Sequence, residues 1–496
     1  MNGNACDSSV PSAAPFPTHI LPSAIAGALI AAMAWAGVVY TPYWQDDYAL
    51  LSRARALSLA EQLLPAAGDS FWRPLGVVPY WELVAGPLEG SALAAHSISM
   101  MLFVGAVASM GWFAGAAARV IRPDGSMRMA TFAATLAYGF HGAFFMPLAW
   151  ASCAQELVAL FFSGLFLRGV VVLWSPSPSR FEGVILFATP ILLACALLSK
   201  EGPVMLPVLA VSLAILLGRP SFRKWALVGA CWLVVVAAWL GVRSAMLSAP
   251  DTDSAYGMRI GINVLRNAAG LGAFSVGLTR EVPRLLLGEW HLVAFIKGVV
   301  ASLVFLALLA ISIRQARRIV PARRLAGLGV FWLAGIAPYL PLGWNCYPYY
   351  ALLALGAWPV LVGIAFLAAI DWKWHLITVI CMAYLAKSLL MQAERLAPYP
   401  ATLARAAAAE SQLADLALQF GKSYAGRRDV IRVGVVAEDR PFFAAIGGAE
   451  GLSIRLGVPR ANVQNPRDSN EDFPEPDVLV IAGDRELRLQ PARPEM

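Results

Sequence analysis

The chain has few charged residues for its length. Only 14% of its 496 residues are Asp, Glu, Lys or Arg, whereas 59% are hydrophobic and the mean hydropathy is +0.64. A soluble protein of this size needs more polar surface than that. The net charge of +7 does not indicate nucleic-acid binding, because the basic residues fall mostly in short segments between apolar runs. The composition therefore predicts a polytopic α-helical membrane protein.

The sequence also lacks patterned cysteines, signs of a cleavable signal peptide and internal repeats. Its six cysteines are scattered, mostly in apolar runs, at spacings that suit neither a metal site nor a disulfide framework. The first apolar segment follows no basic region and precedes no small-residue cleavage site, so we expect it to be retained. The absence of a repeat weighs against an inverted-repeat transporter.

Eleven apolar segments are long enough to cross a membrane. Basic residues cluster after every second segment, which places those loops in the cytoplasm and the N-terminus with them. Three arginines after the first segment disagree with this orientation: Arg53, Arg55 and Arg73. We follow the five later loops, because they agree with one another. The predicted spans are 20–40, 91–118, 129–146, 154–174, 182–199, 203–218, 225–246, 291–313, 325–341, 350–370 and 376–391.

Three segments are predicted outside the membrane, on the face opposite the cytoplasm. Two are long loops, at about 41–90 and 247–290, with amphipathic pieces suited to the membrane interface. The third is the tail 392–496. Unlike the apolar segments before it, the tail begins with an amphipathic helix at 401–420. Strand-like runs then follow at 429–438, 452–458 and 477–483. We therefore predict a transmembrane domain, 1–391, and a small α/β domain, 392–496, in the extracytoplasmic space.

Two adjacent carboxylates, Asp46 and Asp47, follow the first predicted span in "YWQDDYALL". They suit the N-terminus of a helix predicted at 46–64, where negative charge is stabilising. They also suit a general base or a metal ligand, since each carboxylate raises the pKa of the other. The residue types alone leave these two interpretations equally open.

Other ionisable residues lie at the outer ends of predicted spans. Glu156 begins the fourth span, where a buried carboxylate costs ~2–3 kcal/mol unless a partner or water satisfies it. Glu156 either stabilises the N-terminus of its helix or has a functional role. Lys200 and Glu201 form either a structural salt bridge or a site for an anionic substrate. His96, inside the second span, is more often a buried hydrogen-bonding group than a catalytic one.

Arginines and aromatic residues are the remaining candidate site residues on the predicted outer face. Guanidinium groups bind phosphate well, although some also contact lipid head groups. Tyrosines at a membrane boundary are ordinarily interfacial residues. The further candidate binding residues are Trp72, Arg73, Glu82, Gln155, Arg243, Arg259, Arg266, Arg280, Arg284, Tyr347, Tyr349 and Tyr350.

The two faces of the predicted membrane domain therefore differ in chemistry. The outer face gathers carboxylates, cations and aromatic residues, whereas the cytoplasmic loops gather mainly arginine. A carboxylate beside cations at a bilayer surface fits a reaction on a lipid-linked phosphate, in which a base activates an acceptor and the cations stabilise the departing phosphate.

Six motifs in order resemble those of membrane glycosyltransferases of the C-type fold (GT-C). The resemblance covers roughly residues 20–360 and is closest to the protein O-mannosyltransferase and TMTC-like group and its bacterial relatives. Ser99 and Phe103 depart from the family pattern, where Asn and a second His are usual, and an arginine expected before the late tyrosines is absent. The motifs are "WQDDY", "FWRPL", "GSALAAHSISMMLF", "MPLAWASCAQELVALFF", "LLSKEGPVMLP" and "NCYPYYALLALG".

The resemblance implies an inverting glycosyltransferase. The short loops indicate a bacterial protein, which we expect in the plasma (inner) membrane. Its donor would be a polyprenyl-phosphate-linked sugar, and its acceptor a protein, lipid or glycan. Asp46 or Asp47, with a slight preference for Asp47, would be the base. Glu156 would be the second acidic residue, and it would share a divalent metal ion with Asp46. Arg73, Lys200 and a second-loop arginine would hold the donor phosphate.

Three other functions remain open on the sequence. A polymerase or ligase of lipid-linked glycan would also need outer arginines, but it usually relies on a large outer loop. A transporter or flippase would place its ionisable residues near the bilayer midplane, not at the ends of spans. For a scaffold protein, replacing both Asp46 and Asp47 with Asn would leave function intact.

Overall fold

The computed structural model describes most of the membrane portion and separate parts of the tail. Statements about the structure concern these residues. They are 20–65, 70–123, 126–175, 181–218, 222–248, 250, 256–278, 292–343, 346–396, 412–413, 415–423, 432–437, 448–459, 462–463, 476–483 and 486–491.

Helices make up nearly all of the described chain up to residue 396. Several are joined or extended by short 3₁₀ turns, the first at Ala36–Tyr40. The helices are α1 (Leu21–Trp35), α2 (Asp46–Ala56), α3 (Leu59–Leu63), α4 (Val78–Ala85), α5 (Ala92–Ile121), α6 (Met127–Gly139), α7 (Phe145–Ala149), α8 (Ala154–Trp174), α9 (Glu182–Ser199), α10 (Leu206–Leu217), α11 (Phe222–Met246), α12 (Ile262–Ser275), α13 (Leu292–Ala316), α14 (Ala322–Ile336), α15 (Ala357–Ala368) and α16 (Trp372–Leu396).

The chain is a helical membrane protein. Within the described residues six helices are long and apolar enough to cross a bilayer, and a seventh span results if the pair Met127–Gly139 and Gly142–Ala149, bent by 58°, counts as one. These coincide with predicted spans one to five, seven and eight. The remaining four predicted spans are also helical, in α10, α14, α15 and α16. The count of eleven crossings stays a prediction.

The long helix α5 is the centre of the bundle and packs against α1, α6 and α8. Gly111 and Gly115, spaced as in a GxxxG motif, let α6 approach closely. A Cβ at these positions would lie 1.9 Å from Oγ1 of Thr135 and 2.0 Å from Oγ1 of Thr131. Small residues at such contacts let the helix backbones approach, which favours association within a bilayer.

The first outer loop folds into three short helices. The single helix predicted at 46–64 is wrong, because the chain turns at Leu57 and starts again at Ser58. The Ser58 hydroxyl accepts a hydrogen bond from the Glu61 backbone nitrogen, while the Glu61 carboxylate accepts one from the Ser58 backbone nitrogen. This capping box satisfies amides at the start of α3 and separates it from α2.

The second outer loop is described at 256–278, where α12 confirms one amphipathic helix. Just before α12 the chain runs beside residues 341–343. Met258 forms an antiparallel bridge with Leu342, and the Arg259 backbone nitrogen donates to the Pro341 carbonyl oxygen at 2.7 Å. Arg280 and Arg284 lie outside the described residues.

The tail contains a three-stranded sheet of β1 (Val433–Ala437), β2 (Val478–Gly483) and β3 (Glu486–Pro491). β2 is central, parallel to β1 and antiparallel to β3. The parallel pair needs a crossover, and α17 (Gly448–Leu456) lies within it. Residues 412–413 and 415–423 are helical, in agreement with part of the predicted helix, while 401–411 lie outside the described residues.

The strand predicted at 452–458 is wrong, because α17 covers most of it. Ala449, Leu452 and Leu456 are buried in the core of the tail with Leu416 and Val433. Their spacing of three and four residues follows the helical period, so an apolar face forms only if the segment is a helix. The third strand, β3, was not predicted.

Candidate active site

Five turns at one end of the helix bundle meet around two adjoining cavities. The turns follow α1, α7, α9, α11 and α14, which belong to the first, third, fifth, seventh and ninth predicted spans. Alternate turns of a chain that crosses a membrane repeatedly lie on the same side. The prediction that carboxylates and cations gather at one end of the bundle therefore agrees with the geometry.

Asp46 and Asp47 occupy the first turn of α2 but have different surroundings. Asp47 is fully buried, and its Oδ1 accepts hydrogen bonds from the backbone nitrogen and Oγ of Ser152, at 2.7 and 2.5 Å. Its Oδ2 accepts from the Trp44 backbone nitrogen at 2.9 Å. Asp46 is exposed and lines the first cavity. Asp47 therefore anchors the start of α2, while Asp46 is open to a ligand.

Burial changes the acidity of both carboxyl groups. It raises the pKa of Asp47 to about 7, although hydrogen bonds from Ser152 and Trp44 oppose the rise. Asp46 is exposed to the cavity, but the surrounding chain partly desolvates its carboxyl group and so raises its pKa. The preceding residue, Gln45, has a φ of 44°, in the left-handed region that residues with a side chain rarely adopt. Such strain persists only where the surrounding contacts fix the backbone.

Arg73 is held by residues from two other turns. Its Nε and Nη2 donate to both oxygens of Glu201, with the shortest bond, from Nη2 to Oε2, at 2.7 Å. Its Nη1 donates to Oε1 of Gln155 at 3.1 Å, and the Phe71 ring lies 4.4 Å from the guanidinium carbon. All three guanidinium nitrogens are thus engaged, which fixes the plane of the group.

Lys200 is the second fixed cation. Its ammonium forms a buried ion pair with Glu156, the carboxylate in the first turn of α8. The same ammonium lies 5.0 and 5.4 Å from the ring centroids of Tyr349 and Tyr350, within cation–π range. Arg243 is a third cation, because its Nη1 lies 3.6 Å from Oε1 of Glu201. Cations from three turns thus surround one region.

The first cavity has a volume of about 390 Å³ and a lining of aromatic and polar side chains. Indole and phenol rings suit the apolar faces of a polar ligand, and the polar groups between them suit its hydroxyls. The charged and aromatic lining residues are Asp46, Arg53, Phe71, Trp72, Arg73, Trp81, Trp150, Lys200, Tyr256, Tyr349 and Tyr350, and Gln155 is a further polar one.

The second cavity is larger, at about 880 Å³, and is mainly apolar away from the cations. It is lined by Val204, Met205, Trp239, Leu240, Leu247, Ala337, Pro338 and Leu342, among others. Glu201 and Arg243 also line it. Five residues line both cavities and form the wall between them: Phe71, Arg73, Lys200, Tyr256 and Tyr350. We call this set the shared wall.

Several predicted site residues do not line either cavity. The Glu82 carboxylate accepts a hydrogen bond from Gln62 and joins α4 to α3. Nδ1 of the buried His96 donates to the Leu148 carbonyl oxygen at 2.9 Å. The Arg266 guanidinium donates to the Gly343 carbonyl oxygen at 2.6 Å. Each makes a contact within the fold, and none reaches a cavity.

Two predicted residues stand just behind the cavity lining. Tyr347 stacks on Tyr349, with ring centroids 5.3 Å apart, so it supports a lining residue without lining the cavity itself. Glu156 likewise stands behind Lys200. Both therefore act through a neighbouring side chain.

The sequence did not predict four residues of the site: Tyr256, Trp81, Trp239 and Ser152. Ser152 lies inside a quoted motif, but a lone serine carries no signal that it bonds to a distant aspartate. Tyr256 lies in a loop without a regular pattern, and it reaches the shared wall because the chain beside it pairs with residues 341–343. Only the tertiary structure brings these residues to the site.

The divalent metal ion suggested for Asp46 and Glu156 stays a prediction. The Glu156 carboxylate is already bonded to the Lys200 ammonium. Among the described residues, no group of three or more His, Cys, Asp or Glu side chains is placed to hold a metal ion.

Comparisons with known proteins do not add to this picture. The chain matches no protein-family model and none of the curated proteins searched. The candidate function therefore depends on the geometry of the site.

Proposed function

We propose that the chain is an inverting membrane glycosyltransferase that moves a sugar from a polyprenyl-phosphate donor to an acceptor hydroxyl. One observation carries the proposal. Asp46 faces a cavity whose wall holds two fixed cations, Arg73 and Lys200, and an apolar cavity lies on the other side of that wall. A base, phosphate-binding cations and a space for a lipid chain are thus adjacent.

The second cavity suits the lipid end of the donor. Its apolar lining removes hydrocarbon from water, and each buried methylene contributes about 0.8 kcal/mol. Its volume of about 880 Å³ is in the range of known ligand sites. The isoprenoid chain would lie here, with its phosphate at the shared wall and its sugar in the first cavity.

The charges near the wall match a lipid-linked sugar phosphate. Arg73, Lys200 and Arg243 are three cations, and Glu156 and Glu201 are two carboxylates. One positive charge is left over, which balances the single negative charge of a phosphodiester. As the bond to the sugar breaks, the phosphate gains a second negative charge, and the preorganised cations stabilise this charge.

The reaction would follow from these positions. Asp46 takes the proton of the acceptor hydroxyl as its oxygen forms a bond to the anomeric carbon. The bond from that carbon to the phosphate oxygen breaks, and the polyprenyl phosphate leaves with the electron pair. Attack opposite the leaving group inverts the anomeric carbon. Asp47 fixes α2 through Ser152 and Trp44, so we assign it a positioning role in place of the base role preferred from sequence.

The membrane topology predicted from the sequence supports an external site. With the N-terminus in the cytoplasm, the turns after α1, α7, α9, α11 and α14 lie on the outer face, in line with an eleven-span arrangement. The tail packs on α2 through α17, and this contact supports the same side for the tail and the first outer loop. In a bacterial inner membrane that side is the periplasm. The acceptor is a protein, lipid or glycan.

The test is transfer of labelled sugar by the full chain in lipid nanodiscs. A set of polyprenyl-phosphate sugars serves as donors, and membrane extract supplies acceptors. Asp46→Asn should lower the rate by ~10²–10⁴-fold, the range expected for loss of a general base. Asp371→Asn, the same change at an exposed residue before α16, is the matched control and should keep full activity.

Two results would contradict the proposal. In the first, Asp46→Asn, Asp47→Asn and Glu156→Gln each transfer sugar at the wild-type rate. In the second, the wild-type chain moves intact donor across a bilayer but transfers sugar from no donor, which identifies a flippase instead.

A further inference from the structure

Helix α17 of the tail has two buried faces. One face, with Ala449, Leu452 and Leu456, belongs to the core of the tail. The other face carries Ile454 and Arg455, which are partly buried. A helix in a small domain needs only one apolar face, so a second covered face indicates a second packing surface.

The second face of α17 packs against α2, the helix that begins with Asp46. Ile454 contacts the small apolar core of the first outer loop, to which Tyr48 and Leu51 belong. The guanidinium carbon of Arg455 lies 6.0 Å from the centroid of the Tyr48 ring, at the limit of cation–π range. The tail thus contacts the residue next to the buried Asp47.

Helix α2 depends on such contacts. It has 11 residues, and isolated helices of fewer than ~12–15 residues are marginally stable in water. Asp46, Ala49, Leu50 and Arg53 form one face that lines the first cavity. That face touches a cavity and not a packed core, so the other faces must hold the helix in place.

We infer that the C-terminal domain fixes the position of α2 relative to the shared wall, with Ile454 and Arg455 as positioning residues for Asp46. The inference rests on the proposed function for its effect on catalysis, but the contact itself does not. Loss of the contact leaves the cations and the second cavity unchanged. It therefore affects the chemical step and not the binding of the lipid donor, because small misplacement of a reacting group lowers rate steeply.

The experiment uses the full chain in nanodiscs with Ile454→Asp, which places a charge in the apolar contact. Hydrogen–deuterium exchange should show protection of amides in 46–56 reduced by at least ~10-fold, as expected for local opening. The kcat for sugar transfer should fall ~10-fold, while the KM for the lipid donor stays within about twofold. Arg455→Ala should move both quantities in the same direction by less.

Two variants serve as controls. Ile454→Val keeps an apolar side chain in the contact and should retain both protection and kcat. Lys422→Asp changes an exposed residue of the same domain and should also leave both unchanged. Protection of amides in β1 and β2 reports whether the C-terminal domain is folded. If Ile454→Asp abolishes this protection, the milder variant Arg455→Ala is used to test the inference instead.

The outcomes separate the inference from the proposed function. Unchanged protection of 46–56 while β1 and β2 remain protected would overturn the inference, as would an open α2 with unchanged kcat. If α2 opens but the wild-type chain transfers no sugar, the proposed function fails while the docking contact stands.

Discussion

The two cavities share a wall but differ in nearly everything else. The first, of about 390 Å³, has aromatic and polar walls and contains Asp46, whereas the second, of about 880 Å³, is mainly apolar apart from the wall, Glu201 and Arg243. A ligand that fills both must be polar at one end, apolar at the other and anionic between. If the proposed function is right, the difference teaches that the substrate is recognised in parts, each by a different physical interaction.

The largest expected effect concerns Asp47, which lies beneath the first cavity. Its pKa of about 7 in the folded chain compares with an ordinary value of 3.8. A group with a raised pKa binds more protons in the folded state, so stability falls as pH rises from about 4 to about 7. The free energy of unfolding should fall by up to about 4 kcal/mol over this interval.

This pH dependence is measured by urea unfolding of the full chain in detergent at a series of pH values. Asp47→Asn removes the titrating group and should flatten the slope. A variant with the wild-type slope would show that the titration belongs to another residue.

The second effect tests the shared wall. Arg73→Lys keeps the charge but loses the bidentate fork to Glu201 and the bond to Gln155. We expect kcat/KM for sugar transfer to fall by about 10²-fold, equivalent to about 2.7 kcal/mol. Steady-state kinetics with one lipid donor provides the measurement.

Arg266→Lys is the matched control, because Arg266 is predicted as a site residue but, within the described part of the chain, donates to the Gly343 carbonyl oxygen and lines neither cavity. It should change kcat/KM by less than about twofold. Equal losses in both variants would mean that the wall has no special role.

The smallest effect tests the second cavity alone. Ala337 lines it, and Ala337→Phe would occupy space assigned to the lipid chain. The KM for a long-chain polyprenyl donor should rise about tenfold, a loss equivalent to about two buried methylenes, while the KM for a short-chain soluble donor stays unchanged. Ala326→Phe, at an exposed position of α14, the helix that directly precedes Ala337, is the control. A similar rise for both donors would break the assignment of this cavity to the chain.

The sequence predicted where functional groups gather better than which group does what. Charges are costly inside a bilayer, so Glu156, Lys200 and Glu201 had to lie near the ends of spans. Which cation meets which carboxylate depends on helix tilt and rotation, which the apolar pattern does not determine. Lys200 bonds to Glu156 across 44 positions, not to the neighbouring Glu201, which binds Arg73 instead.

The two aspartates illustrate the same limit. Adjacent residues on a helix point about 100° apart, so Asp46 and Asp47 cannot both face the first cavity. The sequence does not say which of them turns inward. Ser152, from a distant turn, decides this by donating two hydrogen bonds to Asp47.

The ion pairs of the shared wall have a consequence for competition by simple anions. Each fixed cation already bonds to a carboxylate, Arg73 to Glu201 and Lys200 to Glu156. A free phosphate ion must compete with these carboxylates and gains no apolar contact in return. The proposed lipid-linked phosphate would bring its chain into the second cavity and would so gain additional free energy. Inorganic phosphate should consequently be a poor inhibitor, and the protein keeps its wall available in a phosphate-rich medium.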